Sequence, residues 1–184
     1  MDEHEAIRRL KAGDSSGLAW LVMRYQVKAM RTAFLITRDE QLSEDVVQEA
    51  FVRLFERIRS FDERRPFEPY LMRSIVNVAL NALRAQGHTD CRSLDDLGKP
   101  LGNLLPFTNV EDEAEINALK EQMRRAIDQL SPRQRAAVVM RYYLEMSEKE
   151  IAKNLSIAPG TVKWVLNAAR QRLRRLLIGE RKSP

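Results

Sequence analysis

The segment Gln86–Asp112 reads QGHTDCRSLDDLGKPLGNLLPFTNVED, and the helical periodicity that runs through the rest of the chain stops there. It holds three Gly and two Pro and is acidic. A structureless stretch of this length is foreign to the inside of a compact domain. It therefore divides the 184 residues into two small units, 1–86 and 113–184, with 87–112 as an acidic linker. The linker carries Leu94, Leu97, Leu101, Leu104, Leu105 and Phe107, so it either docks onto another surface or simply tethers the units.

On both sides, apolar residues recur at helical spacing and nothing reads as a strand, which predicts an all-α chain. In the first unit Ile7 and Leu10 mark a short helix that stops at Gly13. Ser15 is placed to cap a second helix, bearing Leu18, Leu21, Val22 and Tyr25. Ser43 is placed to cap a third, whose stripe Val47, Ala50, Phe51, Leu54 and Ile58 has the spacing of a buried face. After the loop SFDERRP a fourth helix runs from about Phe67 to Ala85, completing a four-helix bundle.

The second unit opens with a helix bearing Ile116, Leu119, Met123, Ile127 and Leu130. Two capping boxes follow, Ser131 with Gln134 and Ser147 with Glu150, each a serine with Gln or Glu three residues later. Pro132 sits at the first helical position, where its missing N–H is harmless. The helix after Ser147 ends near Leu155, and the turn SIAP leads into a longer helix from about Pro159 to Leu177. Short helix, tight turn and longer basic helix describe a helix-turn-helix.

Hydrophobic residues at 44% and charged residues at 31% exclude a disordered chain. No apolar run approaches the roughly 18 residues of a membrane span, and the N-terminus MDEHEAIRRL is too charged for a signal peptide. A single cysteine, Cys91, rules out an internal disulfide and fits a cytoplasmic location. There is no P-loop and no Gly-rich strand-to-helix turn. His88 and Cys91 form a lone H-x-x-C with too few ligands for zinc. The expectation is a chain that is not an enzyme, with no catalytic residues, no metal, no cofactor and no membrane partner.

Charge is distributed unevenly. Residues 1–86 carry 14 Lys/Arg against 13 Asp/Glu, residues 87–112 carry 2 against 5, and residues 113–184 carry 15 against 8. The net +7 of the last segment is the footprint of a nucleic-acid binder, although helix C-termini favour Lys and Arg on dipole grounds alone. In the final helix Val162, Leu166, Ala169 and Leu173 point inward. Trp164, Asn167 and Gln171 point outward, flanked by Thr161, Lys163 and Ala168. Asn suits adenine and Lys suits guanine in the major groove. Arg170, Arg172, Arg174, Arg175, Arg181 and Lys182 suit phosphate neutralisation.

Two faces of the first unit need another explanation. Along the fourth helix Tyr70, Arg73, Ser74, Asn77, Asn81 and Arg84 share one side. Asn is a poor helix former, so propensity did not choose Asn77 and Asn81. Asn reads base edges, Arg holds phosphate, and Tyr70, Phe67 and Phe61 are able to stack on unpaired bases unless they belong to the core. On the third helix Asp45, Glu49 and Glu56 form an acidic stripe around Val52, an odd surface for a DNA-binding chain.

DVVQEAFVRLFERIRSFDERRPFEPYLMRSIVNVALNALR, followed later by LSPRQRAAVVMRYYLEMSEKEIAKNLSIAPGTVKWVLNAARQRLRRLL, resembles a bacterial sigma factor of the extracytoplasmic-function (ECF) group, the smallest of the sigma-70 family. The motifs D-x-x-Q-E-x-F, F-D…F…Y-L-x-R-x-x-x-N and L-x-x-x-Q-R…E-I-A…G-T-V-K stand in the family's order, and the resemblance covers almost the whole chain. It implies region 2 over 1–86 and region 4 over 113–184, with the linker threading the polymerase's active-site and RNA-exit path. It implies that Asp45, Gln48, Glu49, Val52, Arg53 and Glu56 bind the clamp helices of the largest subunit of core RNA polymerase, and that the second-largest subunit's flap is a further contact. Phe61, Phe67, Tyr70, Arg73, Asn77, Asn81 and Arg84 are then the minus-ten contacts with promoter DNA. Thr161, Lys163, Trp164, Asn167, Ala168, Arg170 and Arg172 are the minus-thirty-five contacts. An anti-sigma factor is the common further partner in this group, though no residue of the chain identifies one.

Several positions depart from the family pattern. Tyr70 stands where Trp is common and Asn81 where Asp is common. In VKWVLNAA, Val165 and Ala168 replace two frequent arginines and Trp164 replaces a small Ser, which should weaken duplex binding and flatten its salt dependence. Ser156 replaces the usual turn glycine. Two other readings are an ordinary dimeric helix-turn-helix regulator and a sigma-like chain that only titrates an anti-sigma factor. A duplex-only binder needs neither the acidic stripe nor the Tyr70–Arg84 face.

Overall fold

The computed structural model describes residues 1–87 and 113–179, and among them every regular element is helical. Beyond Gly87, the linker 87–112 with its leucines, His88 and Cys91 lies outside the described residues, as do Arg181, Lys182 and the side chains of Ile116 and Leu119. The first unit comprises α1 (Glu3–Lys11), α2 (Ser15–Thr37), α3 (Glu40–Arg57) and α4 (Phe67–Ala85), with a 3-10 turn at Ile58–Ser60. The second comprises α5 (Glu113–Asp128), α6 (Pro132–Val138), α7 (Glu148–Leu155) and α8 (Pro159–Gly179). A π-helical turn at Val139–Tyr143 extends α6 and was not foreseen from the periodicity.

The helix starts correct two expectations. Asp14, not Ser15, caps α2 by accepting from the Ser16 N–H. Asp39, not Ser43, caps α3, its carboxylate accepting from the Leu42 N–H at 2.8 Å. Ser43 is fully buried instead, and its hydroxyl pairs with the Thr37 hydroxyl at 2.8 Å. Either serine is a good cap by type, but an aspartate just upstream is at least as good and starts the helix earlier. Both capping boxes of the second unit are present. The Gln134 N–H donates to Ser131 Oγ at 3.3 Å and the Ser131 N–H to Gln134 Oε1 at 3.1 Å; Ser147 and Glu150 repeat the pattern.

The first bundle buries Leu21, Ile36, Val46, Leu54, Leu71, Met72 and Ile75 between its helices. Phe67 is its aromatic hub: Phe61 meets it edge-on at 5.6 Å, Tyr25 lies 5.6 Å away, and Tyr70 packs on Phe61 at 4.8 Å. Gly17 lets α1 lie directly on α2, because a Cβ there would stand 2.2 Å from the Ala6 carbonyl oxygen and 2.8 Å from the Leu10 nitrogen. Gly17→Ala is therefore expected to lower stability, by about 1–3 kcal/mol of overpacking, although alanine improves helix propensity by about 1 kcal/mol. A urea titration reads the sign, and a stabilised variant would show that α1 shifts freely.

The two units are not separate bodies. Their buried apolar side chains form one continuous cluster, and α6 packs on both α2 and α4 while α7 packs on α4. Arg135 of α6 crosses the boundary with only 9% of its surface exposed. Its Nε donates to the Ile36 carbonyl at 3.0 Å, and Nη1 donates to the carbonyls of Leu130 and Asp128 at 3.2 and 3.3 Å. Ile36 is in the last turn of α2, whose carbonyls lack intrahelical partners and attract a cation. Burial pushes the Arg135 guanidinium down to about 10, with Arg38 adding to the effect and Asp128 opposing it. It stays charged at neutral pH.

Candidate nucleic-acid and protein interfaces

The acidic stripe lies on the solvent side of α3. Asp45, Gln48, Glu49 and Glu56 are exposed, and Val52 among them is 51% exposed. Glu49 is ion-paired with Arg53, one turn on. Because α3 begins at Glu40, Asp45 lies past the first turn, where the favourable helix-dipole term has faded. The stripe is therefore not an N-terminal dipole effect. Phe55, nearly half exposed, stands on the same helix and was not anticipated as a surface residue.

On α4 the polar side is real but divided. Asn77, Asn81 and Arg84 are exposed, and Arg84 Nη1 donates to Asn81 Oδ1 at 3.0 Å. Tyr70 and Arg73 are half-buried. Phe61 and Phe67, expected as stacking residues, are instead 6% and 1% exposed and belong to the core. The reason is geometric: both rings complete the aromatic cluster that closes the bundle beneath the Ser60–Pro66 loop, and neither presents a face to solvent.

The helix-turn-helix is formed by α7 and α8. Ser156 ends α7 in the left-handed region (φ 53°, ψ 47°), the conformation a glycine adopts more cheaply, so the turn geometry is kept despite the substitution. Thr161, Lys163, Trp164, Asn167 and Arg170 are exposed along the N-terminal half of α8, while Ala168 and Arg172 are half-buried. Trp164 is 70% exposed and lines a shallow groove of about 410 Å³ with Glu148, Lys163, Leu166, Asn167 and Arg170. Lys163 Nζ lies 3.9 Å from a Glu148 carboxylate oxygen. Val162, Leu166 and Ala169 are buried as expected, and so is Val165, at 5% exposure. Val165 thus serves the packing of α8, which its reading as a lost arginine concealed.

Comparison with known proteins agrees with this layout. A family model of sigma-70 region 2 matches residues 21–89, and one of sigma-70, region 4 matches residues 120–173. The ECF RNA polymerase sigma-E factor of Escherichia coli (strain K12) is 31% identical over 172 residues, spanning 90% of this chain and 88% of the relative. The chain belongs to the ECF group of the sigma-70 family. The ECF RNA polymerase sigma factor SigW of Bacillus subtilis (strain 168) is 28% identical over 93% of this chain and 94% of its own length. The fold is shared with structures already solved. It superposes on CnrH, in complex with the cytosolic domain of CnrY, with TM-score 0.60 at 22% identity, covering 98% of this chain and 99% of that one. It superposes on RpoE, in complex with the anti-sigma factor NepR from Bartonella quintana, with TM-score 0.64 at 18% identity, covering 86% and 95%. Sigma factors are initiation factors that bind core RNA polymerase and promoter DNA. Among the described residues of this one, no helix is long and apolar enough to cross a membrane, and no group of His, Cys, Asp and Glu is arranged to hold a metal.

Proposed function

We propose that this sigma factor divides its work among three surfaces: the α3 stripe holds core polymerase, the exposed side of α4 receives the opened minus-ten strand, and α8 reads the minus-thirty-five duplex. The observation that carries this reading is the exposure of Asn77, Asn81 and Arg84 on a helix whose other side is all core. A duplex-only regulator has no use for a second base-reading face in another domain. Arg73 and Tyr70 belong to the same surface as a phosphate and a stacking contact. On α3, Asp45, Gln48, Glu49, Val52 and Glu56 supply an acidic surface with an apolar centre, suited to a basic helical partner. Titration by an anti-sigma factor is a natural control on such a protein, and it is supported by the complex in which the RpoE neighbour was solved. A cytoplasmic location follows from the polymerase partner.

Reconstitution with core polymerase and run-off transcription from genomic fragments tests the reading directly. Specific initiation is expected. A protein that fails to initiate and instead binds DNA alone as a dimer would be an ordinary regulator.

The recognition helix separates affinity from specificity. In the reconstituted holoenzyme, Asn167→Ala is expected to relax the preference at one base pair, by about 1–3 kcal/mol. Arg170→Ala is expected to weaken all sequences alike and to reduce the salt slope by about 1. Competition binding with single-base variants at several salt concentrations distinguishes the two. An Asn167→Ala variant that loses affinity uniformly would place Asn167 on the phosphate backbone.

A further inference from the structure

We infer that Trp164 reads thymine through its C5-methyl group, so that an apolar contact, not a hydrogen bond, fixes one position of the minus-thirty-five element. The inference rests on the assignment of α8 as the duplex-reading helix. Trp164 is 70% exposed, whereas the other tryptophan, Trp20, packs against the buried core. A tryptophan left this open is unusual, since the type is highly buried on average. The packing of the second unit does not account for it, because Val162, Val165, Leu166 and Ala169 already fill the inner side of α8.

The neighbours of Trp164 isolate it. Residues four apart share a helix face, and on either side of Trp164 these are Gly160 and Ala168. A Cβ added at Gly160 would meet nothing within 4 Å, so the indole is not folded back over that turn. It projects from a row of short side chains and meets the floor of a groove before they do.

The major groove, roughly 12 Å wide, displays one apolar group on its base edges, the thymine methyl. The other groups there are donors and acceptors. An indole face laid on them would strip their water without replacing the lost hydrogen bonds. Thymine is therefore the base that this side chain favours. Lys163 and Arg170 line the same shallow groove and are the cations a phosphate would seek. The indole, neutral and with a single N–H to donate, adds apolar surface to them, not charge.

Deoxyuridine tests this, because it lacks the thymine methyl and keeps every hydrogen-bonding group. The full chain is reconstituted with core polymerase, and a promoter found by run-off transcription serves as the probe. Each thymine of its minus-thirty-five element is replaced in turn. Binding is expected to weaken about fourfold at one position, the worth of one buried methyl group, and to hold at the others. Trp164→Ala is expected to bind the thymine and deoxyuridine promoters equally, with the salt slope unaltered because no charge is removed. Trp164→Phe is expected to restore part of the preference, since a phenyl ring also packs on the methyl. The side chain is exposed, so the urea midpoints of both variants should match the wild type. A wild type indifferent to every deoxyuridine would overturn the inference, as would a Trp164→Ala variant that keeps the preference. So would an element with no thymine on either strand. A holoenzyme indifferent to every base change in that element refutes α8 as the duplex reader. Sensitivity to other base changes, without sensitivity to deoxyuridine, refutes the role of Trp164 alone.

Discussion

Reversing Asp45 and Glu49 together to lysine is expected to lower affinity for core polymerase by a hundredfold or more. Two reversals bring like charges against a basic partner, each worth several kcal/mol when close, and about 1.4 kcal/mol is already tenfold. The fold should barely notice. Both side chains are on the solvent side of α3, and among the described residues the tie lost is the exposed Glu49–Arg53 pair, one turn apart. Such pairs contribute about 0.3–0.5 kcal/mol, and the new Lys–Arg neighbour costs a similar amount. Affinity measured by fluorescence titration, beside a denaturant curve, separates the two effects. A stable double variant with unchanged affinity would remove α3 from the polymerase interface and leave its acidity unexplained.

Phe67→Ala is expected to cost about 3–5 kcal/mol of stability. Phe67 is 1% exposed and touches three other aromatic rings, so truncation empties the centre of the first bundle and strands Phe61 and Tyr70 around a void. Domain stabilities are themselves only about 5–15 kcal/mol, so the truncation removes a large share of the margin and the unfolding midpoint should fall steeply. Urea midpoints of the full chain decide the matter. A variant with native stability that fails only in strand opening would show that the ring swings out to stack on a base.

Arg135 illustrates what a linear reading misses. It stands in a recognised motif, LSPRQR, and looks like one more cation in a basic segment. Its carbonyl partner Ile36 lies 99 residues away, and no local pattern marks a helix C-terminus as awaiting a guanidinium from another unit. Val165 is a similar case. Read as a replaced arginine it signals a lost contact, whereas in place it is a buried side chain of the second unit's core.

What the sequence determined by itself is what rests on short-range physics. Helical periodicity and capping chemistry are written within a few residues of one another, so the eight α-helices of the described residues, the boundaries of α4, both capping boxes and the exposed faces of α3 and α8 were legible. The tertiary structure alone decided three things: which aromatics fill the first core, where α2 and α3 are capped, and how the two units close upon each other. Each depends on competition between alternatives of equal local merit. Phe61 and Phe67 suit a core as well as a stacking platform, and Asp14 and Asp39 cap as well as the serines after them. Burial and packing against residues far along the chain break those ties, and that term cannot be evaluated before the chain has folded.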